Sequence, residues 1–197
     1  MIKDFCTLKK YIKADLYRYA TSTTLKSFLR TWFTPGFRFS FWLRLTQFEL
    51  RNFKGPLYII SLLVLRHYQF KYGIGIHPST EIGPGLYIGH WGGIFINPMA
   101  KIGANVNLSP GVLVGQAYKK DGNGFGTPII GNRVFLANNA KVVGDVVVGD
   151  DCVIGINSVL MQSIDEKSVA VGMPAKVNSH KGSSAYVGSY ITYENIR

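Results

Sequence analysis

Aliphatic side chains recur at every sixth position through the second part of this chain: Ile76, Ile82 and Ile88, then Ile96, Ile102, Leu108 and Val114, then Ile130, Leu136, Val142, Val148, Ile154 and Leu160. A period of six fits neither an amphipathic helix nor a long alternating strand; a short fixed repeat marks a stacked solenoid. The unit reads as a short strand, a corner and another short strand, with the aliphatic turned inward. Three units, about 18 residues, make one coil of a three-sided column, and coils stacked at about 4.8 Å bring like residues into ladders. Gly83, Gly89, Gly103, Gly115, Gly131, Gly149 and Gly155 directly follow an aliphatic. They are expected to supply corner dihedrals that a side chain resists.

Two places break the count. Ile88 to Ile96 spans eight positions, an insertion of two around His90-Trp91-Gly92-Gly93, and Val114 to Ile130 spans sixteen, an insertion of ten that extrudes Gln116 to Thr127 as a polar, glycine-rich loop. Insertions on one face of a solenoid are common homes for binding residues.

Before Gly73 the pattern is helical. Thr21 to Thr24 caps a helix carrying Leu25, Phe28, Leu29 and Trp32. Pro35-Gly36 breaks it, a second helix from Phe37 to about Asn52 sets Phe37, Phe41, Leu45 and Phe48 on one stripe, and a third, mostly apolar, runs from Leu57 to Tyr72. Residues 1–72 are therefore expected as an α-helical region, 73–177 as the solenoid and 178–197 as a C-terminal tail. The helical region has 13 basic and 3 acidic residues, which is +10 of the chain's +11. A solvated basic face accounts for this, and contact with anionic lipid headgroups is the second reading. Cys6 and Cys152 have no metal-ligand spacing and suggest no disulfide framework, in keeping with a reducing cytoplasm. The longest apolar run, Leu57 to Leu65, is interrupted by Ser61 and too short to span a bilayer, so a soluble or peripheral protein is expected, cytoplasmic or at the inner face of a membrane.

The hexad train, the ending Gly172-Met173-Pro174-Ala175-Lys176 and the stretch from Ile76 to Gly115 resemble the serine acetyltransferase group of hexapeptide-repeat acyltransferases, most closely the O-acetyltransferases of capsule, exopolysaccharide and colanic-acid type. The resemblance spans about Tyr72 to Val177. It implies a mainly β fold, a left-handed parallel β-helix preceded by the helical region, a homotrimer with sites between neighbouring columns, and acetyl-CoA as cosubstrate with no metal. His90 matches the family's catalytic histidine, in Gly89-His90-Trp91-Gly92-Gly93. Other positions depart from the serine enzymes: Gly89 stands for the serine-binding Asp, Gly75 before Ile76-His77-Pro78 for the Asp that orients the base, and Gly126-Thr127 for an Arg-His pair. Groups that recognise an amino acid's ammonium and carboxylate are missing, which points to a sugar hydroxyl of a polysaccharide precursor as acceptor, with serine as the alternative.

In that reading His90 is the general base. An ordinary imidazole suits proton removal from a hydroxyl near neutral pH, and glycine corners offer backbone donors to the thioester oxyanion. The partner of its other ring nitrogen is left open between a backbone carbonyl, Asn97, Glu81 and an adjacent subunit. Trp91 and Asn97 are candidates for acceptor binding, with Trp91 stacking on a sugar face. Gly115, Asn138, Ile156 and Lys176 match positions where the family binds acetyl-CoA. His77 is a second candidate for the base. A streptogramin-type drug acetyltransferase is a rival within enzymes; a carbonic anhydrase on the same column would need three converging histidines, which the sequence does not offer. A non-catalytic scaffold binding an anionic polymer or membrane surface is the alternative of another class. Nucleic acid is not among the expected partners.

Overall fold

The computed structural model describes residues 2–53, 55–119 and 122–191. Four helices come first: α1 (Phe5–Ala20), α2 (Leu25–Thr31), α3 (Pro35–Asn52) and α4 (Pro56–Tyr72). Their starts follow local chemistry. Asp4 caps α1 by accepting from the amide of Thr7 at 2.7 Å, and Thr24 caps α2 through Ser27. Pro35 and Pro56 take the first turns of α3 and α4, where a missing N–H costs nothing, so Pro35 starts a helix as well as ending one.

From Ile74 on, the chain visits three parallel walls in turn. The first comprises Ile74–Ile76, Ile94–Ile96, Leu113–Gly115, Lys141–Val143 and Val159–Leu160; the second Glu81–Ile82, Lys101–Ile102, Ile129–Ile130 and Val147–Val148; the third Asn107–Leu108, Phe135–Leu136, Val153–Ile154 and Val169–Gly172. Register puts the hexad aliphatics opposite one another, as Ile76, Ile96, Val114, Val142 and Leu160 on the first wall, and Leu108, Leu136 and Ile154 on the third. All thirteen are at most 6% exposed and share one core with Phe39, Leu43 and Leu65 of the helices. At the far end Ala175–Ser179 turns back antiparallel on Val169–Gly172 and takes in the first two residues of the expected tail. The tail then returns to the third wall, where Tyr186 stacks on Phe135 with ring centres 4.7 Å apart.

Three expectations need correction. The glycines after the aliphatics do not turn the corners by left-handed dihedrals; that conformation falls elsewhere, on Gly85 and Gly111 and on Asn105, Arg133, Asn139, Asp151, Asn157 and Lys167. What Gly103 and Gly149 provide is closeness. A Cβ on Gly103 would lie 2.4 Å from the carbonyl oxygen of Gly131, and one on Gly149 would lie 2.4 Å from the amide of Glu166. Leu25 and Leu29 of α2 face solvent, and only Phe28 and Trp32 of that stripe enter an aromatic cluster with Phe37 and Phe41. In α3 the largest wholly buried side chains are Phe37, Phe39, Leu43 and Arg44, because this helix is covered on more than one side by α1, α4 and the first coil.

The helices are locked onto the first coil by a buried ion pair. Arg44 donates to both carboxylate oxygens of Asp15, at 2.9 and 3.2 Å, and to the carbonyls of Ile82 and Gly83 at 2.8 and 2.6 Å. Asp15 also accepts from the amides of Gly85 and Leu86 at 2.8 and 2.9 Å. Backbone groups left open at the end of a solenoid are thus satisfied by two side chains. Tyr19 performs the same service one corner on, accepting from the amide of Ile88 at 2.9 Å and donating to its carbonyl at 3.3 Å. Gly36 permits it: a Cβ there would stand 2.0 Å from the Ile88 carbonyl oxygen.

Two stability predictions result, both read as shifts in chemical or thermal unfolding. Asp15→Ala strips a buried guanidinium of its counter-charge and two amides of their acceptor, and is expected to cost about 3–5 kcal/mol. Gly36→Ala forces α3 off the column and is expected to cost about 1–3 kcal/mol. A change within about 0.5 kcal/mol in either would refute the account of that contact.

Candidate functional site

The corner between the third and first walls is built from residues 89–93, directly after Ile88 is fixed by Tyr19. Its two-residue insertion bulges outward, with Gly92 and Gly93 at φ of 118° and 65°, conformations that side chains resist. His90 stands exposed on this bulge and its ring makes no hydrogen bond among the described residues. The backbone amides of Gly89 through Gly93 likewise donate no hydrogen bond there. A free imidazole beside a run of free amides offers a base and anion donors at one place.

A cavity of about 320 Å³ opens at this point, lined by Tyr87, Gly89, His90, Asn107, Ser109, Asn138 and Tyr186 among others. Its lining side chains are aromatic, aliphatic, amide, hydroxyl and imidazole, with no carboxylate and no lysine or arginine. One cation stands behind it. Arg18 donates to the carbonyl of Asn105 at 3.1 Å and to the side chain of Asn107, and lies 5.6 Å from the centre of the Tyr87 ring. Burial lowers its pKa below the ordinary arginine value, and it has no ion-pair partner among the described residues.

Gly89 and Gly75 each lie against an aromatic ring. A Cβ on Gly89 would lie 3.0 Å from the Tyr87 ring, and one on Gly75 would lie 2.5 Å from the ring of Phe95. Side chains at these positions would have to displace those rings.

Stacked corners place Asn138 and Ile156 on the same edge as His90. The amide of Gly111 donates to Gly92, that of Asn139 to Pro110 and that of Asn157 to Asn138, so coils 90, 110, 138 and 156 lie in file. Asn138 lines the His90 cavity, and Ile156 is 68% exposed. Lys176 is further along, exposed and paired with Val171, whose side chain packs over Gly155. Trp91 is half exposed with its ring 6.0 Å from that of Tyr72, outside the cavity lining.

Asn97 and Gly115 lie elsewhere, at the corner between the first and second walls. Asn97 is bonded to Gln116 at 3.1 Å and to the amide of Met99 at 2.9 Å, and Gly115 leads into the extruded hairpin of Ala117–Tyr118 and Phe125–Gly126. Positions 120 and 121 of that loop lie outside the described residues. Neither Asn97 nor Glu81 touches His90, and among the described residues no side chain orients the imidazole. The same edge carries His77, whose Nδ1 is engaged by Ser79 at 2.7 Å, and a cleft of about 530 Å³ under the hairpin. Sequence reasoning missed Tyr87, Ser109 and Tyr186. Tyr87 was legible as the outward residue preceding Ile88, while nothing in the tail's sequence places Tyr186 on Phe135.

Among the described residues no three His, Cys, Asp or Glu side chains converge as a metal site. No helix there is long and apolar enough to cross a membrane.

The family model of bacterial transferase hexapeptide (six repeats) matches residues 127–161. The serine acetyltransferase of Staphylococcus xylosus is 33% identical over 155 residues, which is 79% of this chain and 69% of that protein. That of Helicobacter pylori strain 26695 is 39% identical over 123 residues, 62% of this chain and 71% of the relative. Among solved structures, the serine acetyltransferase of Vibrio cholerae superposes with a TM-score of 0.72 at 22% identity, covering 90% of this chain and 69% of that one. The soybean apoenzyme gives 0.72 at 24% identity, covering 86% and 68%. At such identities the structural likeness shows the fold alone, a helical N-terminal region leading into a left-handed β-helix. The hexad ladder, the matched repeats and the extent of the Staphylococcus match together place this chain in the serine acetyltransferase family of hexapeptide-repeat acyltransferases.

Proposed function

We propose that the chain transfers an acetyl group from acetyl-CoA to a sugar hydroxyl, with His90 as general base. The imidazole takes the hydroxyl proton as the oxygen attacks the thioester carbonyl; the C–S bond then breaks, and the proton passes to the departing CoA sulfur. The free amides of residues 89–93 are the donors to the oxyanion that forms in between. Asn138, Ile156 and Lys176 lie along the His90 edge as the acetyl-CoA contacts of this reading. Gly115 and Asn97, on another edge of the same chain, serve the reaction in a homotrimer, where a neighbouring column presents that corner to His90.

The observation that carries the sugar acceptor is the neutral lining around His90. A zwitterionic amino acid calls for a carboxylate and a cation at the site, and an unpaired charge in a lined cavity is costly. Tyr87 fills the space over Gly89 and offers a ring face, a surface that suits the apolar face of a sugar. Serine is the second reading, and it rests on a specific observation: the curated relatives at 33–39% identity are named serine acetyltransferases. Placement at a membrane's inner face has one support, the outward side of α4, where Leu57, Ile60, Leu63 and Phe70 are exposed beside Arg66 and Lys71. The same surface suits contact between subunits.

Free thiol released from acetyl-CoA, followed with a panel of sugars and with serine, tests the reading. Sugar-dependent release is expected, reduced by about 10²–10⁴-fold in His90→Ala. Release unaffected by that substitution would remove His90 from the mechanism, release with serine alone would replace the sugar by serine, and no release above background with any of the acceptors would leave the scaffold reading.

A further inference from the structure

The ring of Tyr87 belongs to two clefts. On one side it lines the His90 cavity; on the other it walls a cleft of about 470 Å³ between the β-helix and the α1–α2 segment. That size falls within the range of about 300–1,000 Å³ usual for ligand sites. The second cleft is polar, with the hydroxyl-bearing residues Thr21, Ser27 and Thr34 on its wall and one cation, Arg30. Arg30 has no ion pair among the described residues, α2 contains no acidic residue, and no carboxylate lines the cleft. Tyr87 itself is fixed. It packs against Tyr19 with ring centres 4.7 Å apart and against the Arg18 guanidinium, and Tyr19 is bonded to the backbone of Ile88. The divider between the two clefts is therefore a rigid aromatic face, half-buried and open on both sides.

Hydroxyls around a lone cation, next to an aromatic face, form a lining suited to a saccharide bearing an anionic group. We propose that this cleft is a second acceptor subsite: the unit being acetylated sits at His90, and an adjoining anionic unit, a uronic acid or a sugar phosphate, crosses Tyr87 to reach Arg30. This rests on the sugar reading above and narrows it to extended, negatively charged acceptors.

Equilibrium binding at low salt, without acetyl-CoA, tests the subsite separately from the reaction. The probes are tetragalacturonate, the neutral cellotetraose, a hexose 1-phosphate and inorganic phosphate. Wild type is expected to bind tetragalacturonate or the hexose phosphate at least about tenfold more tightly than cellotetraose, roughly the strength of one charge-assisted contact. Arg30→Ala should remove that margin and Arg30→Lys keep part of it. Ser27→Phe, which fills the cleft, should weaken binding of tetragalacturonate. Unfolding midpoints within about 2 °C of wild type show that these substitutions leave the fold intact. Equal affinity for charged and neutral saccharides, an Arg30→Ala variant that binds as wild type does, or no saccharide binding would overturn the proposal. Inorganic phosphate bound as tightly as the hexose phosphate would overturn the saccharide assignment. Charged saccharides that bind in the expected pattern but are never acetylated would instead overturn the proposed reaction and leave the subsite standing.

Discussion

Close approach of backbone to backbone at the corners governs this molecule. Each hexad aliphatic enters a shared core only if the strand after it bends at once, and the next coil follows the same path one strand spacing away. Where Gly103 lies under Gly131 there is no room for a single carbon, so the corner tolerates no side chain whatever its dihedrals. The left-handed residues needed to finish each turn come slightly later and, apart from the buried Asn105, reach solvent, which is why Asn, Asp, Arg and Lys fill many of them. Arg133 and Asp151, on successive coils of one such column, pair at 2.7 Å, and that contact holds the Asp151 carboxyl below its ordinary pKa.

A column built this way has an unsatisfied first coil, and the helical region exists in part to close it. Asp15 and Arg44 do so with charged groups, at the desolvation cost that any buried ion pair carries; the carbonyls and amides they bind make that cost tolerable. The chain leaving this cap runs straight into the site. Tyr19 fixes both polar groups of Ile88, and Ile88 is two residues from His90. Helix packing and the position of the imidazole are therefore linked through one residue's backbone.

The ladder, the helical third and the two insertions were legible because each is a matter of spacing, and spacing survives without coordinates. All thirteen hexad positions read from the sequence are core positions. The corner glycines were legible as necessary but not for the right reason, since steric approach of a neighbouring coil is invisible in a linear string. Solvent exposure of Leu25 and Leu29 was hidden too: a four-residue stripe cannot say how much of itself a short helix will bury. At the site, His90 and Asn138 could be placed on one edge by counting. The rest of the cavity could not, because Tyr186 arrives from the tail and Arg18, behind the lining, from α1, segments whose distance along the chain carries no information about contact.

Departures from the serine enzymes' pattern are best understood as exchanges of groups and not as losses. Gly89 and Gly75 each lie beneath an aromatic ring, so a carboxylate at either place and the ring now above it compete for the same space. A side chain at position 89 would press on the Tyr87 ring at 3.0 Å, and one at 75 would displace Phe95, whose ring lies 2.5 Å from the Cβ position. Gly89 lies at the corner between the third and first walls and Gly75 within the first wall, so the two rings close off two separate places to a side chain. Under the proposed reading, His90 and the amides of residues 89–93 carry the transfer, while the Tyr87 ring governs what can be laid against them.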